Sequence, residues 1–534
     1  MLKKILPFVL ISSFSFAQNV FTNTADKAKI ELAKQKIYAQ QYIGAVNAFK
    51  EISRTSPTDA NVYHYIGYCY FILNQLDSAK SQLNKALSLN PTKAATHFVL
   101  GKVFQKEEKY DEAIAEFNLG TASSKPGDED SQDAALYLSQ CNMAKKLVGS
   151  PIDVDIVNAG DINSKYDDKN PCTTADASLL VFTSRRPENA NSLTDAEGDG
   201  KYFEDVYIAT FDTTTRVYHD AKPVAGSVNT KGHDAVTSIS PDGKQIFLYK
   251  NDMNDKMSRG GDVFVSKINN GKWKTPEQFG KPVASSFWEG GACVSPDGKR
   301  LFFTSERKGG LGGSDIWMVE KITKKEWGKP VNVGAPINTP YDEGGMFLAP
   351  DGKTLFFCSN GPNSMGSYDI FKTVIEKGKF SEPVNLGYPI NSSAKEGQLT
   401  ISANGKTAYF SSERAGGVGE SDIYKINLKD YAILEQGNKV TTSNGLSILK
   451  GTIREGYEGY GLTEVEISIT DNAGAAIAST VTNENGEYFL TLKGGQSYKI
   501  NVKKKGFQEI NESFELKLGT KDTFTLEKGF LLKK

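Results

Sequence analysis

The chain has 534 residues, 63 basic against 64 acidic, for a formal net charge of −1, and 39% of its residues are apolar. That length exceeds what one hydrophobic core organises and implies three or more folding units. The even charge balance supplies no basic face, which removes nucleic acid from the expected partners, and four histidines leave little scope for histidine chemistry. The 50 glycines and 29 phenylalanines point to turn-rich β structure.

The first residues read as an export signal. Lys3 and Lys4 precede the apolar stretch from Ile5 to Phe16, and Ser15-Phe16-Ala17 supplies a small-x-small cleavage site. The stretch is shorter than the roughly 20 residues that span a bilayer. Position 18 is Gln rather than Cys, so the lipoprotein pattern is missing. A signal peptide over 1–17 is expected, with no transmembrane segment and a mature chain that is periplasmic or associated with the outer membrane.

A 34-residue repeat follows. Ala45, Ala79 and Ala113 keep that interval, as do Phe49, Leu83 and Phe117, then Ala33, Gly67 and Gly101, and the pair Pro57 and Pro91. Small residues at 67 and 79 let paired helices approach closely, and Pro91 stops the second helix. Over 27–125 this resembles three tetratricopeptide repeats, with 133–147 as a capping helix and the whole unit over 25–148. The resemblance implies a peptide- or protein-binding groove, which in the second repeat presents Asn61, His64, Tyr68 and Phe71. The carboxylate-clamp positions of such grooves fall on Ile30 and Tyr68, which cannot hold a carboxylate. His64 reads first as a satisfied structural residue.

A longer repeat occupies 152–430. Its turn acid recurs at Asp176, Asp242, Asp297 and Asp351, with Asn404 in the fifth copy. An Asp-aliphatic-aromatic marker follows each, at Asp205, Asp262, Asp315, Asp369 and Asp422, and a third marker carries Asn163, Asn338 and Asn391. Pro-Asp-Gly between apolar runs is a hairpin turn, and the aromatic-rich flanks are strands buried on both faces. With a further strand expected at Trp273, Trp327 and Phe380, each copy supplies about four strands, the size of a propeller blade. The motifs resemble the TolB-like β-propeller repeat, which implies five blades, or six with a degenerate extra copy. The second copy departs from the pattern, with Tyr249-Lys250-Asn251 where Ser-x-Arg is expected.

Acids recur just before the innermost strand of each copy: Asp168, Asp234, Glu289, Glu343 and Glu396. A ring of them would line one mouth of a central channel and hold a cation or a basic peptide. The plainer alternative has each acid capping backbone N–H groups or pairing with its own blade's arginine, such as Arg307 or Arg414. The polar stretch 187–200 enlarges the first blade and reads as an exposed insertion.

Residues 446–534 alternate apolar and polar positions between N-G and G-G turns, which reads as antiparallel strands. The T-x-x-N-G-x-Y-x-L run ending at Leu490 resembles the carboxypeptidase-regulatory-like domain, a small β-sandwich that serves as a spacer or interaction module. The order helical repeats, propeller, sandwich resembles a Bacteroidota envelope family. Its longer members, PorE of the type IX secretion system among them, end in an OmpA-like domain. This sequence stops at Lys534, so peptidoglycan anchoring is not expected.

The function expected is therefore that of an exported non-enzymatic scaffold binding other envelope proteins or peptides, an accessory of outer-membrane, type IX secretion or gliding machinery. No cofactor or metal is expected: the five cysteines are scattered without a CxxC pair and read as small buried hydrophobes. No G-x-S-x-G elbow is present for a prolyl-peptidase-like hydrolase. The alternative is a glycan-binding or glycan-processing propeller, for which Glu289 beside Trp288 would suit a sugar.

Overall fold

Glycines at the repeat interval set how closely the first helices pack. A computed structural model describes residues 24–125, 133–189, 192–196, 198–251, 261–269, 271–323, 326–429, 431, 433–434, 445–456 and 459–534. The expected export signal lies outside these residues. Seven helices are described: α1 (Thr24–Tyr38), α2 (Tyr42–Thr55), α3 (Ala60–Ile72), α4 (Leu76–Leu89), α5 (Ala94–Lys106), α6 (Tyr110–Ser123) and α7 (Ala134–Val148). A Cβ added at Gly67 would stand 2.7 Å from Leu83 Cγ, and one at Gly101 would stand 2.5 Å from Phe117 Cε1. Hydrogen in place of a side chain is what lets α3 meet α4, and α5 meet α6, with Leu83 and Phe117 fully buried between them. The Asp59 carboxylate caps α3 by accepting from the Asn61 N–H at 2.8 Å. Gln40, Asn74 and Glu108, each in the turn between paired helices, hold positive φ of 61°, 57° and 60°. This recurrence at 34 residues went unread in the sequence.

Residues 155–427 form five antiparallel sheets. The first runs Asp168–Thr173, Leu179–Ser184, Asp205–Asp212, Val217–Pro223, and the second His233–Ile239, Gln245–Asn251, Asp262–Asn269, Glu277–Gln278. The third runs Glu289–Val294, Arg300–Ser305, Asp315–Glu320, Val331–Asn332, and the fourth Glu343–Leu348, Thr354–Ser359, Asp369–Glu376 with its outer pieces. The fifth takes Glu396–Ile401, Thr407–Ser412 and Asp422–Asn427, then borrows Asp155–Asn158 from ahead of the first sheet. Each first strand packs against the first strand of the next sheet, and the fifth against the first, so the circuit closes. Lateral hydrogen bonds run around it: Val236 N–H donates to Thr183 Oγ1 at 3.0 Å, Ala292 N–H to Thr237 Oγ1 at 3.2 Å, and Thr173 N–H to Thr400 Oγ1 at 3.1 Å.

The repeated markers acquire physical roles. At the hairpin turns Gly243, Gly298, Gly352 and Gly405 take φ of 67–73°, and Ala177 takes 61° in the first copy. The Asn marker brackets the third strand of the preceding sheet. Asn338 Oδ1 accepts from Ile316 N–H at 2.9 Å, and its Nδ2 donates to Ile316 O and to Asn332 Oδ1, both at 2.9 Å. Asn391 does the same for Ile370, and Asn163 for Ile423 across the closure. The outer strand differs from expectation. Lys272–Trp273 and Lys379–Phe380 only prolong the third-strand hairpin, and Trp327 makes a single bridge to Lys321. The strands that complete the edge come a few residues later, at Glu277–Gln278, Val331–Asn332 and Val384–Asn385.

The last part is a two-layer sandwich. One sheet holds Glu487–Lys493, Leu446–Glu455, Thr525–Glu527 and Phe530–Leu532; the other runs Ala476–Val481, Glu466–Thr470, Gln496–Lys503, Ile510–Leu516. Leu449, Ile467, Tyr488, Ile500 and Phe514 interleave between them.

Both ends of the ring of sheets are covered by the same chain. At the end where the inner strands begin sits the helical array: Gln140 Nε2 donates to Asn360 O and Ser364 Oγ at 3.0 Å, and Lys106 pairs with Glu413 at 2.9 Å. At the end where they turn sits the sandwich. Leu446 N–H donates to Ala403 O at 2.9 Å, Asn404 Nδ2 to Lys521 O at 3.2 Å, and Phe489 and Ile448 pack on Ala175 and Ala403.

Replacing Asn338 with Ala deletes three hydrogen bonds and orphans the buried Ile316 peptide groups, which costs about 1–3 kcal/mol. The expected result is a lower urea midpoint with unchanged slope; an unchanged midpoint would show that the bracket contributes nothing.

Candidate functional site

A carboxylate can be buried only if donors replace its water. All five inner acids meet this condition, with 0% exposure for Asp168, Asp234, Glu289, Glu343 and Glu396. Each accepts from the backbone N–H and hydroxyl of the residue four positions earlier. Ser164 gives Asp168 bonds of 2.6 and 2.8 Å, Ser285 gives Glu289 3.0 and 2.5 Å, and Ser392 gives Glu396 3.0 and 2.6 Å. Thr230 and Thr339 play this part for Asp234 and Glu343. The hydroxyl four residues before each acid is a repeated sequence signal of this enclosure.

From the second strand comes the Ser-x-Arg motif. Ser305 and Ser412 donate to Glu289 and Glu396 at 2.8 Å, while Arg307 and Arg414 reach the same carboxylates at 3.0 and 3.3 Å. The same guanidinium groups donate to Val283 O and Ile390 O at 2.5 and 2.7 Å, and lie over Phe303 and Phe410. Arg186 serves Asp168 at 2.6 Å. In the second sheet Lys250 stands opposite Asp234, where other sheets have Ser, and its Nζ alone reaches both Asp234 Oδ1 and, at 2.6 Å, Val228 O. One amine thus replaces the hydroxyl and guanidinium together.

The fourth sheet has no such cation: Gly361 occupies the arginine position. Glu343 relies on Thr339 and on Ser359 Oγ at 2.8 Å. Burial, aided by the nearby Asp315 charge, pushes its carboxyl up to about 7 against the opposing hydrogen bonds. Burial also raises Asp205 and Glu306 to about 7, with help from Glu188 and Asp234 at the first and Asp342 and Glu289 at the second.

The acids therefore sit inside their own sheets rather than along a channel wall, and the structure does not bring them together into one cluster. Glu289 is enclosed although Trp288 beside it is half-buried, its ring 6.2 Å from that of Tyr249. Among the described residues no group of three or more His, Cys, Asp or Glu side chains is placed to hold a metal ion. The five cysteines are buried and unbonded to one another, and burial pushes Cys69, Cys141, Cys293 and Cys358 up to about 12.

On α3 the four groove residues fare differently. His64 is buried with Nδ1 3.1 Å from Thr96 Oγ1, and burial holds it well below the ordinary histidine range. Asn61 Oδ1 accepts from Lys93 Nζ at 2.8 Å. Tyr68 and Phe71 are partly buried, packed against the apolar clusters around Phe49 and Leu83, and burial raises the Tyr68 hydroxyl well above the ordinary tyrosine value. The end of the 187–200 insertion lies against neighbouring elements: Gly198 O accepts from Ile43 N–H of α2 at 3.2 Å, and Arg185 pairs with Asp199. Lys201, just beyond it, pairs with Asp167 at 2.9 Å and Glu420 at 2.7 Å.

Comparison with known proteins covers the two flanking units. Residues 448–527 match the carboxypeptidase regulatory-like domain, and residues 39–118 match the family of anaphase-promoting complex, cyclosome, subunit 3. The BBSome complex member BBS4 of Bos taurus is 32% identical over 90 residues, 17% of this chain and 17% of that protein, so the chain spans under a fifth of that relative's length. Among solved structures, the P58(IPK) TPR domain is 21% identical over 24% of this chain and 35% of its own, with a TM-score of 0.22. The Yersinia enterocolitica type III secretion translocator chaperone SycD is 16% identical over 24% of this chain and 90% of its own, at 0.23. The N-terminal helices are tetratricopeptide-like repeats, and the C-terminal sandwich is a carboxypeptidase regulatory-like domain.

Two outcomes follow from the acid cages. Arg307→Ala leaves Glu289 buried without its cation, at about 3–5 kcal/mol, whereas Arg307→Lys costs less because an amine already does this work at Lys250; urea unfolding of both variants distinguishes them. Glu343 holds its proton up to about pH 7 in the folded chain but only to about 4.5 when unfolded. Its contribution is thus complete below pH 4.5 and is lost as pH rises through 7. Glu343→Gln should flatten the fall in urea midpoint between pH 5 and pH 8; an unchanged slope would show that another group carries it.

Proposed function

We propose that this chain is an exported, non-enzymatic scaffold of the cell envelope, built on a five-bladed TolB-like propeller and presenting tetratricopeptide-like repeats to an envelope protein or peptide. Outer-membrane, type IX secretion or gliding machinery is the setting that the domain order suggests. The observation that carries the reading is the enclosure of every repeated acid inside its own sheet. This acid constellation, repeated in all five sheets, has its lone pairs and charge engaged in holding the sheets, and is not directed at a substrate. Five sheets of four or five strands, arranged in one circuit that a strand from the opposite end of the repeat completes, support the five-bladed arrangement.

The helices offer one surface for a partner. The array meets the ring at Lys106 and Gln140, whereas Tyr68 and Phe71 of α3 are only partly buried. Aromatic side chains that are only partly buried offer contact area at low entropic cost, which suits an extended peptide with apolar side chains.

Cross-linking in the native envelope, followed by identification of co-purifying proteins, tests this reading. A specific protein should be captured by the wild-type chain, and its recovery should fall at least tenfold with Tyr68→Glu while the circular dichroism is unchanged. Turnover of a glycan by the purified chain, abolished by Glu289→Gln, would overturn the assignment.

A further inference from the structure

The sandwich presents its two sheets differently. The sheet holding Glu487–Lys493 faces the ring, through Phe489, Ile448 and the Thr491 hydroxyl, which donates to Pro350 O at 2.5 Å. The second sheet lies on the far side, and its two edges are unlike. One edge strand, Ile510–Leu516, carries Glu512 and Glu515. The other, Ala476–Val481, reads AIASTV, and no charged residue occurs from Asn472 to Asn483. Natural edges are usually blunted by charge or proline, because their unpaired peptide groups invite another strand.

The direction of those peptide groups can be read from the pairing. Among the described residues Ala476–Val481 pairs only with Glu466–Thr470, regularly from Ala478 to Val481 and with a register shift that leaves Ile477 unpaired between Ala478 and Ala476. Thr482 N–H donates to Val465 O at 3.1 Å, so Thr482 points its backbone at that neighbour. Alternation along an antiparallel ladder then turns Thr480 and Ala478 inward and aims the N–H and C=O of Ser479 and Val481 away from the sheet. The side chains alternate too. Ala478 packs on the core, while Ile477 and Val481 are 47% and 50% exposed on the outer face, with Ser479 exposed between them.

We propose that this edge pairs with the same edge of a second copy of the chain, antiparallel about a two-fold axis at Ser479. That register sets Ser479 opposite itself within the regular part of the strand and brings Ile477, at the bulge, beside Val481 of the other copy twice over, covering the exposed apolar side chains of both. No charge meets a like charge, because the strand has none, so the edge is complementary to itself. Pairing joins two four-stranded sheets into one of eight strands on the side away from the ring. A contact of six residues per copy buries less than the ~1,200–2,000 Å² of a standard interface, so the association is reversible and concentration-dependent.

Cysteine cross-linking of the mature full-length chain reads the register directly. The five native cysteines are buried, so Ser479→Cys supplies the accessible thiol. The two-fold puts these residues about 5.5 Å apart between Cα atoms, within disulfide reach. Ser468→Cys, exposed one strand further in, would lie about 14 Å from its counterpart, three strand spacings away. On mild oxidation Ser479→Cys should form a covalent dimer at least tenfold faster than Ser468→Cys. In sedimentation at increasing concentration the wild-type mass should approach double, and the double variant Ile477→Lys, Val481→Lys should stay monomeric with an unchanged thermal midpoint. Equal cross-linking of the two cysteine variants, a wild type that stays monomeric, or a dimer that survives both lysines would each overturn the proposal, as would a strand from a different protein found on this edge.

Discussion

The interaction on which the ring of sheets depends is the enclosure of one carboxylate per sheet. An ionised group away from water is tolerable only when fixed donors surround it, and removing one donor exposes the full desolvation cost. The acid therefore dictates residues at three distances along the chain: a hydroxyl four before it, a hydroxyl sixteen after and a cation eighteen after, as at Ser285, Ser305 and Arg307 around Glu289. These bonds lock the start of the inner strand, the loop before it and the end of the second strand into one unit. What looks in sequence like a set of repeated functional groups is the fastening of each sheet.

The fourth sheet shows how the same unit is modified where the helices dock. In the last three sheets a loop residue four before the marker Asp donates its N–H to that Asp: Leu311 to Asp315, Met365 to Asp369, and Val418 to Asp422. Leu311 and Val418 are 53% and 59% exposed, but Met365 is fully buried, with Gln105 of α5 against the adjacent Gly366. Gln140 of α7 settles on the same loop, and Gly361 stands where an arginine would otherwise rise. The helices occupy the sheet whose cage lacks a cation, and Tyr341 of that sheet joins the apolar cluster around Phe98 and Phe117.

Much of this was legible beforehand, for definite reasons. Gly67 and Gly101 announce helix pairs because only hydrogen fits against Leu83 and Phe117. Pro-Asp-Gly turns mark the hairpins because their glycines need positive φ. The acids were legible as a repeat but not as to direction: spacing shows that five carboxylates occupy equivalent places, not whether each faces an axis or its own sheet. That depends on hydroxyls such as Ser164 and Ser392, small polar residues that look like ordinary loop composition until the bonds are seen. The outer strands were misplaced because Trp273, Trp327 and Phe380 suggest strands by residue type, while the edge pairing forms around smaller residues such as Val331 and Val384. The docking of the three units was not legible at all, since Gln140, Asn404 and Thr491 are unremarkable in sequence and become joints only through the approach of distant surfaces.

Covering both ends of the ring has a consequence for how the molecule can work. A ring of sheets usually offers its loops at one end and its turns at the other, and here the helical array lies across the first and the sandwich across the second. The small void near the axis, lined by Thr173, Ser238, Cys293 and Phe347, lies on the sandwich side and carries no ionisable group apart from a buried thiol. Polar residues that would otherwise face solvent at the helix side are drawn into pairs, Lys201 with Asp167 and Glu420, and Lys106 with Glu413. The ring thereby separates the tetratricopeptide-like helices at one end from the sandwich at the other, and each is joined to it by its own set of contacts.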